Sequence, residues 1–198
     1  MSHPFALVSV AEMRSLEAAA IAEGASEQDL QARAGRAVAD VVSDHLEAAG
    51  EPIAAVIGPG NNGRDAMVAA RHLARRGHRV QLWLGPRHAV AEAETADLAA
   101  MGVRIARADA KCADGAFRRA LAQNRVVIDG LLGVGAVGPM RAELAPLAEA
   151  INDARTGRPR LLVVAVDVPS GVNADDGSVA GSAVRADVTV TFGAVKAG

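Results

Sequence analysis

From position 53 onward the chain alternates short, mostly apolar runs with longer segments whose apolar residues recur every three to four positions. The runs cover residues 53–57, 79–84, 103–106, 126–129, 161–167 and 187–192, and their apolar interiors are those of parallel strands covered on both faces. Residues 64–76, 90–101, 115–123 and 144–154 read as the intervening helices, the first two closed by Gly77 and Gly102, in the position where a glycine ends a helix. This alternation predicts a three-layer α/β/α, Rossmann-like fold with a doubly wound, mostly parallel sheet. Two further helices precede the first strand. Ser9 caps one, with Met13, Leu16, Ala20 and Ile21 on a single face and Gly24 at its end. The other runs from 26 or 27 to 49, with a stripe of Leu30, Ala34, Ala37, Val38, Val41, Val42 and Leu46. Covering a sheet face, closing a site or forming a subunit interface are the uses open to this pair.

The length of 198 residues suits one such domain and is short for two. Net charge is -2, from 21 basic and 23 acidic residues, which points away from a nucleic-acid or membrane surface. Three Phe, one Trp and no Tyr leave no aromatic platform for single-stranded nucleic acid. The single cysteine, Cys112, is expected to be an inert thiol and fits a reducing compartment. Residues 1–8 have neither the basic segment nor the apolar core of a signal peptide, and no run approaches the ~20 apolar residues of a membrane span. A cytoplasmic location is expected.

The chemistry concentrates where strands end. The first strand breaks at Gly58, Gly60 and Gly63, and the helical pattern resumes at about Arg64. A glycine turn leading into a helix N-terminus suits an anion such as phosphate. Read literally, the glycines satisfy a dinucleotide fingerprint, but that motif needs an acidic residue about 20 positions later to hold the ribose. Here the second strand runs into Gly85-Pro86-Arg87-His88, which leaves a nicotinamide-dependent oxidoreductase without its second half. Asn61, Asn62 and Asp65 put more polar side chain in the turn than a pyrophosphate cradle requires.

With strand order 3-2-1-4-5-6, two more clusters join this turn at the switch point. One is Asp129 with the loop Gly130 to Pro139; the other is the Asp167-Val-Pro-Ser-Gly171 turn. Asp129 closes an apolar run, so it is either an acid or base with a raised pKa or a carboxylate that bonds the following loop. Asp167 suits sugar hydroxyls. Ser170 lacks the glycine spacing of a nucleophile elbow and reads as a hydrogen-bonding or ion-coordinating oxygen. Oxygens of Asn62, Asp129 and Ser170 could gather around a hard cation, whereas His3, His45, His72, His78 and His88 have no zinc-site spacing and read as surface or packing residues.

These three clusters resemble the YjeF N-terminal domain family, the NAD(P)H-hydrate epimerases. The family's motifs are a Gly-x-Gly-Asn-Asn-Gly-Gly-Asp-Gly loop, a Val-Asp-Ala-Leu-Phe-Gly-x-Gly strand end and a Val-Asp-Ile-Pro-Ser-Gly turn with a later glycine. They appear here at residues 58–66, 128–135 and 166–177. The opening Val8-Ser-Val-Ala-Glu-Met-Arg14 and the closing segment from Ala186 through Lys196 are also similar. The sequence departs from the motifs at Arg64 and Ala66, which replace glycines, and at Gly130 and Leu132, where Ala and Phe are usual. Arg64 would either reach a substrate phosphate or obstruct the pocket.

The resemblance implies an isomerase that interconverts the R and S forms of hydrated NADH and NADPH, in repair of nicotinamide cofactors. It implies substrate contacts from Asn61, Asn62, Gly63, Arg64, Asp65, from Gly133, Val134, Gly135, Ala136, Val137, Gly138, Pro139, and from Asp167. A potassium ion would be bound by Asn62, Asp129 and Ser170. Asp129 is then the expected catalytic residue, protonating the leaving hydroxyl and deprotonating the returning water. The implied partners are a second copy of the chain and an ADP- or ATP-dependent dehydratase specific for the S form. Residues 1–198 are then the epimerase domain, and either they are the front part of a longer chain fused to the dehydratase or the edge of the sheet differs from the family's. The rival reading from another class is a non-catalytic YjeF-like module used for dimerisation or scaffolding.

Overall fold

A computed structural model describes residues 7–86, 92–109, 115–156 and 160–198. Among them the elements are β1 (Leu7–Val8), α1 (Val10–Ala22), α2 (Glu27–Asp44), β2 (Pro52–Ile57), α3 (Asn61–Arg75), β3 (Arg79–Leu84), α4 (Glu92–Ala100), β4 (Arg104–Arg107), α5 (Ala116–Leu121), β5 (Val126–Gly130), α6 (Ala145–Thr156), β6 (Leu162–Val166), β7 (Val188–Val190) and β8 (Val195–Lys196). Cys112, His3 and His88 lie outside the described residues, as does the start of the helix expected from 90.

β2 to β7 form one six-stranded sheet in the order β4-β3-β2-β5-β6-β7, with every adjacent pair parallel. This is the doubly wound arrangement expected from the sequence. Alternate residues of each strand feed two cores. Ile53, Ala55 and Ile57 pack with Val38, Leu73 and Leu98 of α2, α3 and α4, while Ala54 and Val56 pack with Phe117, Leu147 and Ile151 of α5 and α6. The sheet is thus sandwiched between two helical layers. Gly35 lets α2 approach α3, because a Cβ there would stand 2.5 Å from Val68 Cβ.

Four local expectations change. α3 begins at Asn61, so the twin amides occupy its first turn instead of a preceding loop. α2 stops at Asp44, not 49, because the Glu51 carboxylate accepts from the N–H groups of Glu47 (2.8 Å) and Ala48 (3.3 Å) and folds the chain into a turn. α1 buries only Met13 of its expected stripe; Leu16 and Ile21 stay exposed, beside an exposed Leu7. Ser9 does cap α1, in a reciprocal pair with Glu12, and such a cap contributes about 1 kcal/mol. Finally, the chain's two ends form a second, two-stranded parallel sheet, β1 with β8, that local pattern did not suggest.

Candidate active site

The C-terminal ends of β2, β5 and β6 open into a cavity of about 770 Å³. Its size is that of a small-molecule or cofactor site. Asn61, Asn62 and Asp65 enter it from the first two turns of α3, residues 133–139 from the loop after β5, and Asp167 from the end of β6. The sequence-predicted clusters therefore meet at one place. Gly63 and Arg64 do not reach its walls. Gly63 is buried because a Cβ there would stand 2.1 Å from Gly58 O, and a Cβ on Gly58 would stand 1.7 Å from Leu131 O. Two glycines of the turn thus serve contact between backbones, and only Gly60, with open space before it, serves the cavity. Arg64 is exposed, and its backbone is not in the left-handed region, so it does not obstruct the cavity.

Asp129 and Ser170 lie behind the wall. Both are 0% exposed. Ser170 N–H donates to Asp129 Oδ2 (2.9 Å), Ser170 Oγ donates to Oδ1 (2.6 Å), and Leu131 N–H also donates to Oδ1 (3.2 Å). Leu132 N–H donates to Ser170 Oγ (2.8 Å), and Asn62 Nδ2 donates to Leu132 O (2.8 Å). Burial pushes the Asp129 carboxyl above its usual range, against the lowering effect of the Ser170 and Leu131 hydrogen bonds. In this arrangement Asp129 is not among the residues that line the cavity.

The same network has the donor chemistry of a hard-cation site: the Asn62 amide, the Asp129 carboxylate, the Leu132 carbonyl and the Ser170 hydroxyl supply oxygens only. Asp129 is a fully buried carboxylate with no cationic side chain paired to it among the described residues, the situation in which a bound cation compensates burial. The residues present fit potassium. No group of three or more His, Cys, Asp or Glu gathers among the described residues, and His45, His72 and His78 are away from the cavity.

Asp167 is held differently. It is the one non-glycine residue with positive φ among the described residues, at 65°, a conformation that Asp tolerates better than most side chains. Lys196, 5% exposed, pairs with its Oδ1, and Lys196 Nζ also donates to Thr191 Oγ1 (3.1 Å) and Phe192 O (2.9 Å). Thr191 Oγ1 donates to Asp167 as well (3.2 Å). A strained residue persists where its surroundings over-determine it, and here Lys196, Thr191 and the Phe192 N–H hold the carboxylate.

Asp65 is held by less than Asp167 is. Its side chain makes no hydrogen bond or ion pair among the described residues. Burial, with the negative charges of Asp167 and Glu17, raises its pKa to about 7. Glu17 and Arg14 come from α1, Arg141 from the loop after β5 and Lys196 from β8, and all four line the cavity. None was picked out as a site residue by sequence reasoning. Arg14 and Lys196 do lie in the opening and closing segments that resemble the family, and that was the available signal.

Comparison with known proteins places these features. The family model described as YjeF-related protein N-terminus matches residues 27–198. The chain is 36% identical over 196 residues to the bifunctional NAD(P)H-hydrate repair enzyme Nnr of Thermofilum pendens, covering 96% of this chain and 36% of that one. It is 37% identical over 195 residues to the NAD(P)H-hydrate epimerase of Clavibacter michiganensis subsp. michiganensis, covering 95% and 80%. It thus spans about a third of the bifunctional relatives and most of the epimerase. The crystal structure of yeast YNL200c has the same fold, with a TM-score of 0.84 at 23% identity over 97% of this chain and 82% of that one. This chain belongs to the YjeF-related protein N-terminus family.

Proposed function

We propose that the chain is an NAD(P)H-hydrate epimerase, interconverting the R and S forms of hydrated NADH and NADPH. The observation that carries this reading is the single cavity into which the α3 N-terminus, the 133–139 loop and Asp167 converge. The helix N-terminus with Arg14 and Arg141 suits the substrate's phosphates, and Asp167 suits its ribose hydroxyls. The hydroxyl-bearing carbon of the substrate is bonded to the ring nitrogen. Protonation of the hydroxyl lets the C–O bond break with its electron pair leaving on water, while the nitrogen lone pair forms an iminium. Water adds back to either face and returns the proton. No redox step is required.

Asn62, Asp129, Leu132 and Ser170 are the proposed holders of a potassium ion, which would supply a fixed positive charge beneath the 133–139 loop. In the apparatus itself, Asp129 orders that loop through Ser170 and the Leu131 and Leu132 N–H groups. An ADP- or ATP-dependent dehydratase acting on the S form is the proposed functional partner; that relatives are named bifunctional NAD(P)H-hydrate repair enzymes supports a second activity beside this one. A second copy of the chain is the proposed cover for the exposed Leu7, Leu16 and Ile21. No described helix is long and apolar enough to cross a membrane.

The test is to add the purified chain, in potassium buffer, to separated R-form hydrated NADH and follow the R/S ratio by chromatography. A ratio that relaxes faster than the enzyme-free control supports the epimerase. A folded chain that binds the substrate and leaves the ratio at the control rate excludes it.

A further inference from the structure

Four carboxylates lie at or beside the cavity, Glu17 of α1 among them, and their surroundings divide the work. Asp129 has both oxygens occupied by Ser170 and Leu131 and is sealed from the cavity. Asp167 lines it with its Oδ1 committed to Lys196, Thr191 and the Phe192 N–H. Asp65 lines it with neither oxygen committed among the described residues, from the second turn of α3, in a cavity also lined by residues 133–139. A general acid or base must reach the reacting atom and must be free to exchange its proton. Asp129 fails the first condition and Asp167, ion-paired to Lys196, the second; of the two carboxylates left, Glu17 is exposed on α1 and Asp65 is half-buried on α3.

We propose that Asp65, rather than Asp129, is the catalytic acid/base of the epimerisation. The inference rests on the epimerase reading above. Asp65 in its acid form gives a proton to the substrate hydroxyl. The C–O bond breaks, water departs with the electron pair, and the ring nitrogen takes up the positive charge. A water molecule then attacks the same carbon, and its proton returns to the Asp65 carboxylate. Each cycle begins and ends with the same protonation state and consumes nothing.

The electrostatics of the cavity support this assignment. The pKa of about 7 for Asp65 arises first from burial, then from Asp167 and Glu17, and a pKa near the working pH is what proton transfer in both directions requires. The other charged groups lining the cavity are Arg14, Arg141 and Lys196. Lys196 is taken up by Asp167, and Asp65 has no ion pair with any of the three among the described residues. Fixing Asp167 with Lys196 keeps a carboxylate charge at a set place near Asp65.

The experiment compares wild type, Asp65→Asn, Asp65→Glu and Asp129→Asn in the R-to-S assay from pH 5.5 to 9, with hydrated NADH binding measured on the same preparations. Wild-type kcat is expected to fall as pH rises through about 7. Asp65→Asn is expected to lower kcat by about 10²–10⁴-fold, to change the dissociation constant far less, and to lose the falling limb; Asp65→Glu restores part of the rate. Asp129→Asn slows turnover and keeps the limb. Asp65→Asn retaining kcat within a few-fold, or retaining the limb, overturns the proposal while the epimerase stands. Wild type that binds substrate without changing the ratio overturns both. A carbon-13 carboxyl titration of the free protein gives a reading that needs no turnover. A midpoint near 7 that disappears in Asp65→Asn is expected, and its absence from wild type overturns the assignment.

Discussion

The Ala66 side chain fills the space that a Cβ on Gly130 would need: such a Cβ would stand 2.5 Å from Ala66 Cβ. Ala66 is on the buried face of α3 and Gly130 ends β5, so the two meet where helix and strand pack. The family's motifs carry glycine at the first position and alanine at the second. This chain has the methyl group on the opposite partner, and two departures that look independent in sequence are one exchange in space.

Gly130→Ala alone should therefore overpack the junction and destabilise by about 1–3 kcal/mol. Ala66→Gly alone should cost about 1 kcal/mol in a helix interior. The double variant should recover most of the Gly130→Ala loss, giving a favourable coupling of about 0.5–3 kcal/mol in urea unfolding. Additive losses would contradict the contact.

The raised pKa of Asp65 links stability to pH. The native state keeps its proton up to about pH 7 while the unfolded chain releases it near 3.8, so between these values the native state binds more protons and stability falls as pH rises. Asp65→Asn removes that cost. It should stabilise the chain by about 1–3 kcal/mol at pH 8 and by little at pH 4, measured by denaturant unfolding at both pH values. An equal effect at both would show that burial does not perturb the group.

Asp129→Ala strands the buried N–H groups of Ser170 and Leu131 and should cost about 2–4 kcal/mol. The isosteric Asp129→Asn is the better probe of cation binding. Wild-type Tm should rise by a few degrees when potassium chloride replaces tetramethylammonium chloride at equal ionic strength, since an ion that binds only the native state stabilises it. Asp129→Asn should lose that rise, because the charge that attracts the cation is gone.

Lys196→Met leaves Asp167 partly buried, unpaired and in a left-handed conformation. Loss of about 3–5 kcal/mol is expected from removing one partner of a buried pair, read from the urea midpoint. Adding Asp167→Asn should return part of it, and no recovery would place the effect in the packing of β8.

The sequence by itself determined the layered fold and the order of the six strands. Parallel strands buried on both faces announce themselves as apolar runs, and the handed connection between them leaves few topologies. It also brought the three motifs to one switch point, because residues following the strands of a doubly wound sheet collect at its carboxyl edge. What the tertiary structure decided was which oxygens face the cavity. Asp129 and Asp167 both end apolar runs and look alike in sequence. One is sealed by residues 131–132 folding back over it, while the other is turned by a left-handed backbone toward Lys196. Asp65 became a half-buried, uncommitted carboxylate of the cavity because α3 starts at Asn61 and carries that residue to the cavity wall. The β1 with β8 pairing, and with it the delivery of Arg14, Glu17 and Lys196, joins residues at opposite ends of the chain. Periodicity reports a residue's neighbours along the chain, and these contacts are set only by where the fold brings distant segments together.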